Sequence, residues 1–281
     1  VDLVVAGDAN FTNAAGDHPY TAVHIAVSHT LFNVINVLLW IPLLGFLTQI
    51  ICWLVPQKDE KEQHKLKYLG NSTTNAPEVG LHTAEMELAN MVQITTDMLH
   101  DTRTYLSGQK HQKKLFRHIQ HTEDVIDRIE EEMIKFLTRL QSSELSDEQA
   151  TTAYGLVRKA DEIESIADCL QAITLYRARL FEKDQNMSDD AWVDLLMLYD
   201  QVGDFFRSIA SRWQVPAKLR HLEALSENSR QLTSQVDDLR YRHLQRLAEG
   251  LCDTTAAQTF NDIAISLQRI QGHSENSMET A

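Results

Sequence analysis

Between Leu31 and Val55 about 25 consecutive residues are almost all apolar, LFNVINVLLWIPLLGFLTQIICWLV, and this run constrains the chain more than any other feature. As a helix rising about 1.5 Å per residue it extends roughly 37 Å, against a hydrocarbon core of about 30 Å. It is read as a membrane span, with Trp53 placed where an interfacial aromatic belt sits. A secretory signal peptide is disfavoured: the run starts late, nothing basic opens it, and no small-residue cleavage site closes it. The stretch that follows, QKDEKEQHKLK, puts Lys58, Lys61, Lys65 and Lys67 near one end of the span. Lysine there marks the cytoplasmic side.

The rest of the chain is expected in the cytosol. Cys52, Cys169 and Cys252 are too scattered for a disulfide framework and fit a reducing compartment. A formal net charge of −14 disfavours nucleic acid as a partner, since that binding rests on Lys and Arg neutralising phosphates. Opening on VDLVVAGDANFTNAAGDHPY, the chain reads as a piece of something longer, and one span cannot form a transport path alone.

From Pro77 onward the apolar periodicity is helical throughout, so the fold class is all-α: a membrane helix followed by a cytosolic six-helix bundle. Pro77 and Glu78 suit a first helical turn, and that helix is predicted to run to Leu106. Others are predicted over 110–140, from a Ser146/Gln149 capping box to Phe181, and over 189–213, 216–250 and 255–270. The domains expected are an incomplete membrane segment (1–56), a linker (57–76), a helical domain (77–272) and a disordered tail (273–281). Within the helical domain, 77–184 and 188–272 read as two three-helix repeats.

The chemistry lies in two acidic stripes. On the second predicted helix of the bundle, Ile119, Ile126, Ile129, Met133, Phe136 and Leu140 form the core stripe; Glu123, Asp127 and Glu130 are displaced from it by about 100°. On the third, Leu156, Ala160, Ile163, Ala167 and Leu170 are the core stripe, and Asp161, Glu164 and Asp168 are displaced in the same sense. In an antiparallel hairpin both acidic stripes then point to one outer face. Like charges at i, i+4 repel, and a bound Mg²⁺, Mn²⁺, Zn²⁺ or iron relieves them. The competing reading is a solvated acidic face partly offset by Arg128, Arg158 and Lys159. Inside the span, Asn33, Asn36 and Gln49 are polar candidates for an ion path or for helix–helix hydrogen bonds. Pro42 and Gly45 predict a kink there.

Weaker features carry less. His118 and His121 lack a third ligand, and Met86, Met91 and Met98 form a packing stripe. No Glu has a His three positions later, which disfavours a di-iron oxidase. Neither a nucleophile elbow nor a phosphate-cradling Gly loop is present, so no catalytic residue is assigned and the chain is read as a non-enzyme.

The segments HTEDVIDRIEEEMIKFLTRL and RKADEIESIADCLQAI resemble the PhoU-type helical unit, with Glu123-x-x-x-Asp127 and Glu164-x-x-x-Asp168 matching its acidic motifs. AVHIAVSHTLFNVINVLLWIPLLGFL resembles the last membrane segment of bacterial type II-like sodium–phosphate cotransporters, through Ala22, Ala26, His29, Phe32 and Asn33. DDLRYRHLQRLAEG resembles part of their appended domain, through His243, Arg246, Leu247 and Gly250. Gln268 and Gly272 depart from the second repeat's motif, where Glu and Asp are expected, and Asp237 is flanked by Thr233 and Tyr241; metal is therefore expected in the first repeat only. The resemblance implies the C-terminal portion of a sodium-dependent phosphate symporter in the bacterial inner membrane. Sodium is then the coupling ion, the missing membrane half carries phosphate, and the PhoU-like domain regulates or senses phosphate or metal status. A homo-oligomer is compatible with this reading. The alternative is a membrane-tethered helical adaptor that binds a partner protein and transports nothing.

Overall fold

Helix starts and stops follow the capping chemistry of the sequence. The computed structural model describes residues 5–13, 16–54, 67–69, 76–141, 145–212, 222–250 and 252–279. Its helices are α1 (Thr21–Leu54), α2 (Pro77–Ser107), α3 (Lys113–Gln141), α4 (Asp147–Glu182), α5 (Asp189–Ala210), α6 (Leu222–Ala248) and α7 (Thr254–Glu279). No strand occurs among the described residues, so the molecule is all-helical with one N-terminal apolar helix. The chain divides into two compact units, Val1–His64 and Lys65–Ala281.

In the first unit α1 starts ten residues ahead of the apolar run, at Thr21. Polar residues of AVHIAVSHT precede the run without breaking the helix, because they can bond within it: the Thr30 hydroxyl donates to the Ala26 carbonyl at 2.9 Å. Pro42 lies inside α1. Thr21–Leu43 is long and apolar enough to cross a membrane. Ile25, Phe32, Leu38 and Ile41 are each more than half exposed, so much of the apolar surface of α1 is open within its own unit. Asn33 is exposed and Asn36 half-buried, one turn apart on one side of α1. The side chains of Gln49, Cys52 and Trp53, and the whole of Lys58, Lys61 and Lys65, lie outside the described residues.

In the second unit Pro77 opens α2, with Glu78 in its first turn. α3 begins three residues later than expected, after a turn in which the Tyr105 hydroxyl bonds to Nδ1 of His111 at 2.7 Å. The capping box at Ser146 and Gln149 forms at the head of α4. Its other end closes on Asp184, held at φ 51°, after which the Gln185 N–H returns to the Leu180 carbonyl at 3.0 Å; this is a Schellman-type stop. Ser188 caps α5, which ends at Ala210 rather than at 213. Residues 213–221, where the next helix was expected to start, lie outside the described residues.

The tail expected to be disordered is helix. α7 continues to Glu279, and Ser274, Ser277 and Met278 are buried. The short hydroxyls satisfy themselves within the helix, Ser274 donating to the Ile270 carbonyl and Ser277 to that of Ser274, both at 2.6 Å. Polar by composition, the segment can therefore be buried at no hydrogen-bonding cost. His273 and Glu162 of α4 pair across the seam at 2.7 Å.

The two helical triplets, α2–α4 and α5–α7, meet chiefly where α4 lies against α7, and secondarily where α2 meets α5. The second contact is tied by the Tyr199 hydroxyl, which donates to the Leu99 carbonyl at 2.8 Å. Beside it Arg103 and Asp200 form a two-pronged pair at 2.7 and 3.0 Å. Every residue of both predicted core stripes on α3 and α4 is buried, each large one contributing about 1.5–3 kcal/mol of burial. Within the stretch expected as a linker, residues 67–69 are held to the bundle. The fully buried carboxylate of Glu87 accepts from the backbone N–H groups of Lys67, Tyr68 and Leu69 at 3.4, 2.7 and 3.2 Å.

Candidate functional site

α3 and α4 run antiparallel, their apolar stripes facing inward, and the residues one position beyond those stripes meet along the outer edge of the seam. There Glu123 from α3 and Glu164 and Asp168 from α4 bring carboxylate oxygens within 4.8 Å of one another. Glu123 and Glu164 are half-buried and Asp168 is exposed. Beneath them Ile119, Ile126, Ile163 and Ala167 are completely buried, so the trio stands on an apolar floor. Asp127 and Asp161, both exposed, stand outside the trio but extend the same negative strip.

Electrostatics at the strip are those of crowded acids. The Glu123 carboxyl is pushed up to about 7, first by burial and then by the charges of Asp168, Asp124 and Asp127 and a hydrogen bond with Asp168. Glu164 is likewise pushed up to about 7, by burial first and then by Asp168, Glu130, Asp127 and Asp161. Glu130 is raised by burial, Asp161, Asp127 and Glu131. Carboxylates this close cannot all ionise without an added positive charge. The side-chain amide of Gln171 donates to Glu123 Oε2 at 2.5 Å and fixes that oxygen. Arg128 and Arg158, which could have offset the strip, are exposed and form no ion pair among the described residues.

Such a donor set is all oxygen, anionic and partly open to water. It fits a hard cation, Mg²⁺, Mn²⁺ or iron, better than Zn²⁺, which favours nitrogen and sulfur. Glu123, Glu164 and Asp168 would hold the ion, with Asp127 and Asp161 adding field from the side.

The matching edge of the second triplet is built differently. On the α6–α7 seam the Gln271 amide donates to the Ser229 carbonyl and hydroxyl, both at 2.8 Å, and to the Thr233 hydroxyl at 3.0 Å. The Ser229 hydroxyl donates to Glu275 at 2.5 Å. Asp237 is exposed, 3.9 Å from Arg240. Hydroxyls and an amide bonded around the Glu275 carboxylate occupy this seam where α3 and α4 bring three acids together. Elsewhere, His118 is exposed with Nε2 3.4 Å from Asp101, while Met91 and Met98 are core.

Sequence reasoning missed Gln171, Glu87 and Glu162. Gln171 lies one turn beyond Asp168 on α4, so helical spacing could have found it. Glu87, between Met86 and Leu88 and one turn from Ala84 and Met91, falls on the core face of α2, so helical spacing could have found it too; Glu162 sits between Asp161 and Ile163 in an acidic stretch that hides its burial.

Residues 88–175, which span α3, most of α2 and α4, and the acidic trio, match the sequence model of the PhoU domain. No curated protein matches the chain by sequence. Among solved structures, the fold is similar to the crystal structure of PhoU from Pseudomonas aeruginosa. The TM-score is 0.67 at 14% identity, covering 73% of this chain and 96% of that one. It is also similar to the phosphate transport system regulatory protein PhoU from Streptococcus pneumoniae, with a TM-score of 0.63 at 12% identity, covering 73% and 94%. At such identities the likeness is one of fold.

Proposed function

We propose that this chain is the C-terminal portion of a sodium-dependent phosphate symporter of the bacterial inner membrane, in which the bundle is a cytosolic, non-catalytic regulatory domain. The observation that carries the regulatory reading is a PhoU-type fold with three carboxylates drawn within 4.8 Å of one another from α3 and α4. α1, long and apolar enough over Thr21–Leu43 to cross a membrane, supports attachment to one. In this reading a divalent or ferric cation docks on Glu123, Glu164 and Asp168, and the charged state of the acidic face decides how the bundle meets its membrane half. Sodium and phosphate are then the cargo of that half.

The test is a Mn²⁺ titration of the full chain in detergent, followed by calorimetry, paired with sodium-dependent phosphate uptake in cells carrying the intact gene. Glu164→Gln with Asp168→Asn should weaken Mn²⁺ roughly 100-fold, since two of three anionic ligands are lost. Unchanged Mn²⁺ affinity sinks the cation site; absence of uptake sinks the symporter.

One observation favours a second reading, the membrane-tethered adaptor. Val193 and Met197 on α5 and Tyr241 and Leu244 on α6 are 57–64% exposed apolar or aromatic side chains, a surface on which a partner protein could sit. A chain that captures such a partner while its gene confers no phosphate uptake would be that adaptor.

A further inference from the structure

Where the two triplets join, Arg177 near the end of α4 is 4% exposed. No carboxylate among the described residues pairs with it. Its guanidinium is sandwiched between the rings of Phe181 and Trp192, 4.0 and 4.2 Å from their centroids. Two of its nitrogens are used: Nη2 donates to the Gly108 carbonyl at 2.9 Å and Nη1 to Asn186 Oδ1 at 3.2 Å. Nε is buried and has no partner. Burial pushes this guanidinium down to about 10, so it stays charged at neutral pH. A buried charge with no counter-ion is costly, and few folds retain one without use.

The same residue lines a cavity of about 470 Å³ between the α2–α3 turn and the α4–α5 turn. Gln185 lines it too; its amide nitrogen donates to Asp253 at 3.1 Å, while its Oε1 is buried and unpartnered. Arg177 and Gln185 thus both line the cavity, and each carries a buried polar atom that no protein group among the described residues satisfies. Asp184 and Asp189 are also on the lining. Their carboxylates repel a fully deprotonated dianion but accept a hydrogen bond from one that keeps a proton.

We propose that this cavity binds a small oxyanion that retains a proton, with monohydrogen phosphate as the fitting chemistry. Arg177 takes the anionic oxygens, and Gln185 or an aspartate takes the P–O–H. Inorganic phosphate presents both edges; sulfate at neutral pH presents only acceptors. The site spans the α4–α5 connection, so occupancy ties one triplet to the other. As an account of what the bundle senses, it rests on the regulatory reading above.

The full chain in detergent is titrated with inorganic phosphate, sulfate and glycerol phosphate, with a chelator present so that metal-bound phosphate at the acidic face cannot contribute. Calorimetry should show saturable phosphate binding and none for sulfate. Arg177→Lys and Gln185→Leu should each weaken phosphate roughly tenfold or more, as loss of a charge-assisted or buried hydrogen bond does. Should Arg177→Lys lose its helical circular dichroism, Gln185→Leu alone decides. Tighter binding of glycerol phosphate than of inorganic phosphate also supports the site and identifies esters as its source. No phosphate binding, equal sulfate binding, or affinity unchanged in the folded variants overturns it. The Mn²⁺ titration without chelator reads the acidic face separately, so the two proposals fail by different signals.

Discussion

On Glu123 and Glu164 a proton and a metal ion compete for the same oxygens. Both groups are held near 7 in the folded chain, against 4.5 for the ordinary carboxyl. Between those values the folded state carries more protons than the unfolded one. Stability is therefore fully present below the ordinary carboxyl range and is lost as pH rises toward 7. Without metal, the thermal midpoint should fall as pH is raised from about 5 to about 8. Glu123→Gln, neutral at every pH, should flatten that slope, and a thermal melt series at several pH values reads it directly. An unchanged slope in the variant would show that burial at this position does not govern the titration. Mn²⁺ affinity should rise over the same window, because the ion must displace protons to bind.

Individual helices are set by local devices whose removal has a local cost. Ser146→Ala breaks the capping box of α4 and should destabilise by about 1 kcal/mol, seen as a lower urea midpoint with an unchanged m-value. The last two turns of α7 are tied to other helices, His273 and Asn276 to Glu162 of α4 and Glu275 to Ser229 of α6. Met278→Ala removes a side chain that is 6% exposed and should cost on the order of 2–4 kcal/mol. Deleting residues 273–281 should cost at least as much as that substitution. A deletion that leaves the urea midpoint unmoved would contradict the packed C-terminus. Gly80 shows the same dependence on neighbours: a β-carbon there would lie 2.9 Å from Leu140, so the start of α2 and the end of α3 approach only because that side chain is missing.

The whole chain combines a helix with many exposed apolar side chains and a bundle that buries its own stripes. α1 should hold the protein in the membrane fraction through alkaline carbonate extraction. Leu38→Arg, in the middle of the apolar run, should release it, since a central arginine costs about 2.5–3.5 kcal/mol of insertion free energy. Retention of that variant in the pellet would point to attachment by some other route. Within the bundle unit, Glu87 fastens residues 67–69 to α2 through three backbone N–H groups. Loss of that grip in Glu87→Leu should expose the segment after Lys67 to trypsin without unfolding the bundle.

Much of this was legible in residue order. The apolar run, the helical periodicity after Pro77, the core stripes of α3 and α4 and the Ser146 cap all depend on residues within a turn or two of each other, where spacing alone sets geometry. The displaced acids were legible for the same reason, since a constant offset on two antiparallel helices leaves one meeting edge. What local spacing could not carry was contact between distant segments. That Ser274, Ser277 and Met278 are buried depends on helices distant in the chain, among them α4, whose Glu162 meets His273 and Asn276. Which acids form the trio, and which only lend it field, depends on the stagger of α3 against α4 to within a fraction of a turn. Arg177 reads in sequence as one more surface cation in ITLYRARL; only the return of the α2–α3 turn and the start of α5 over it make it a buried charge at a cavity wall.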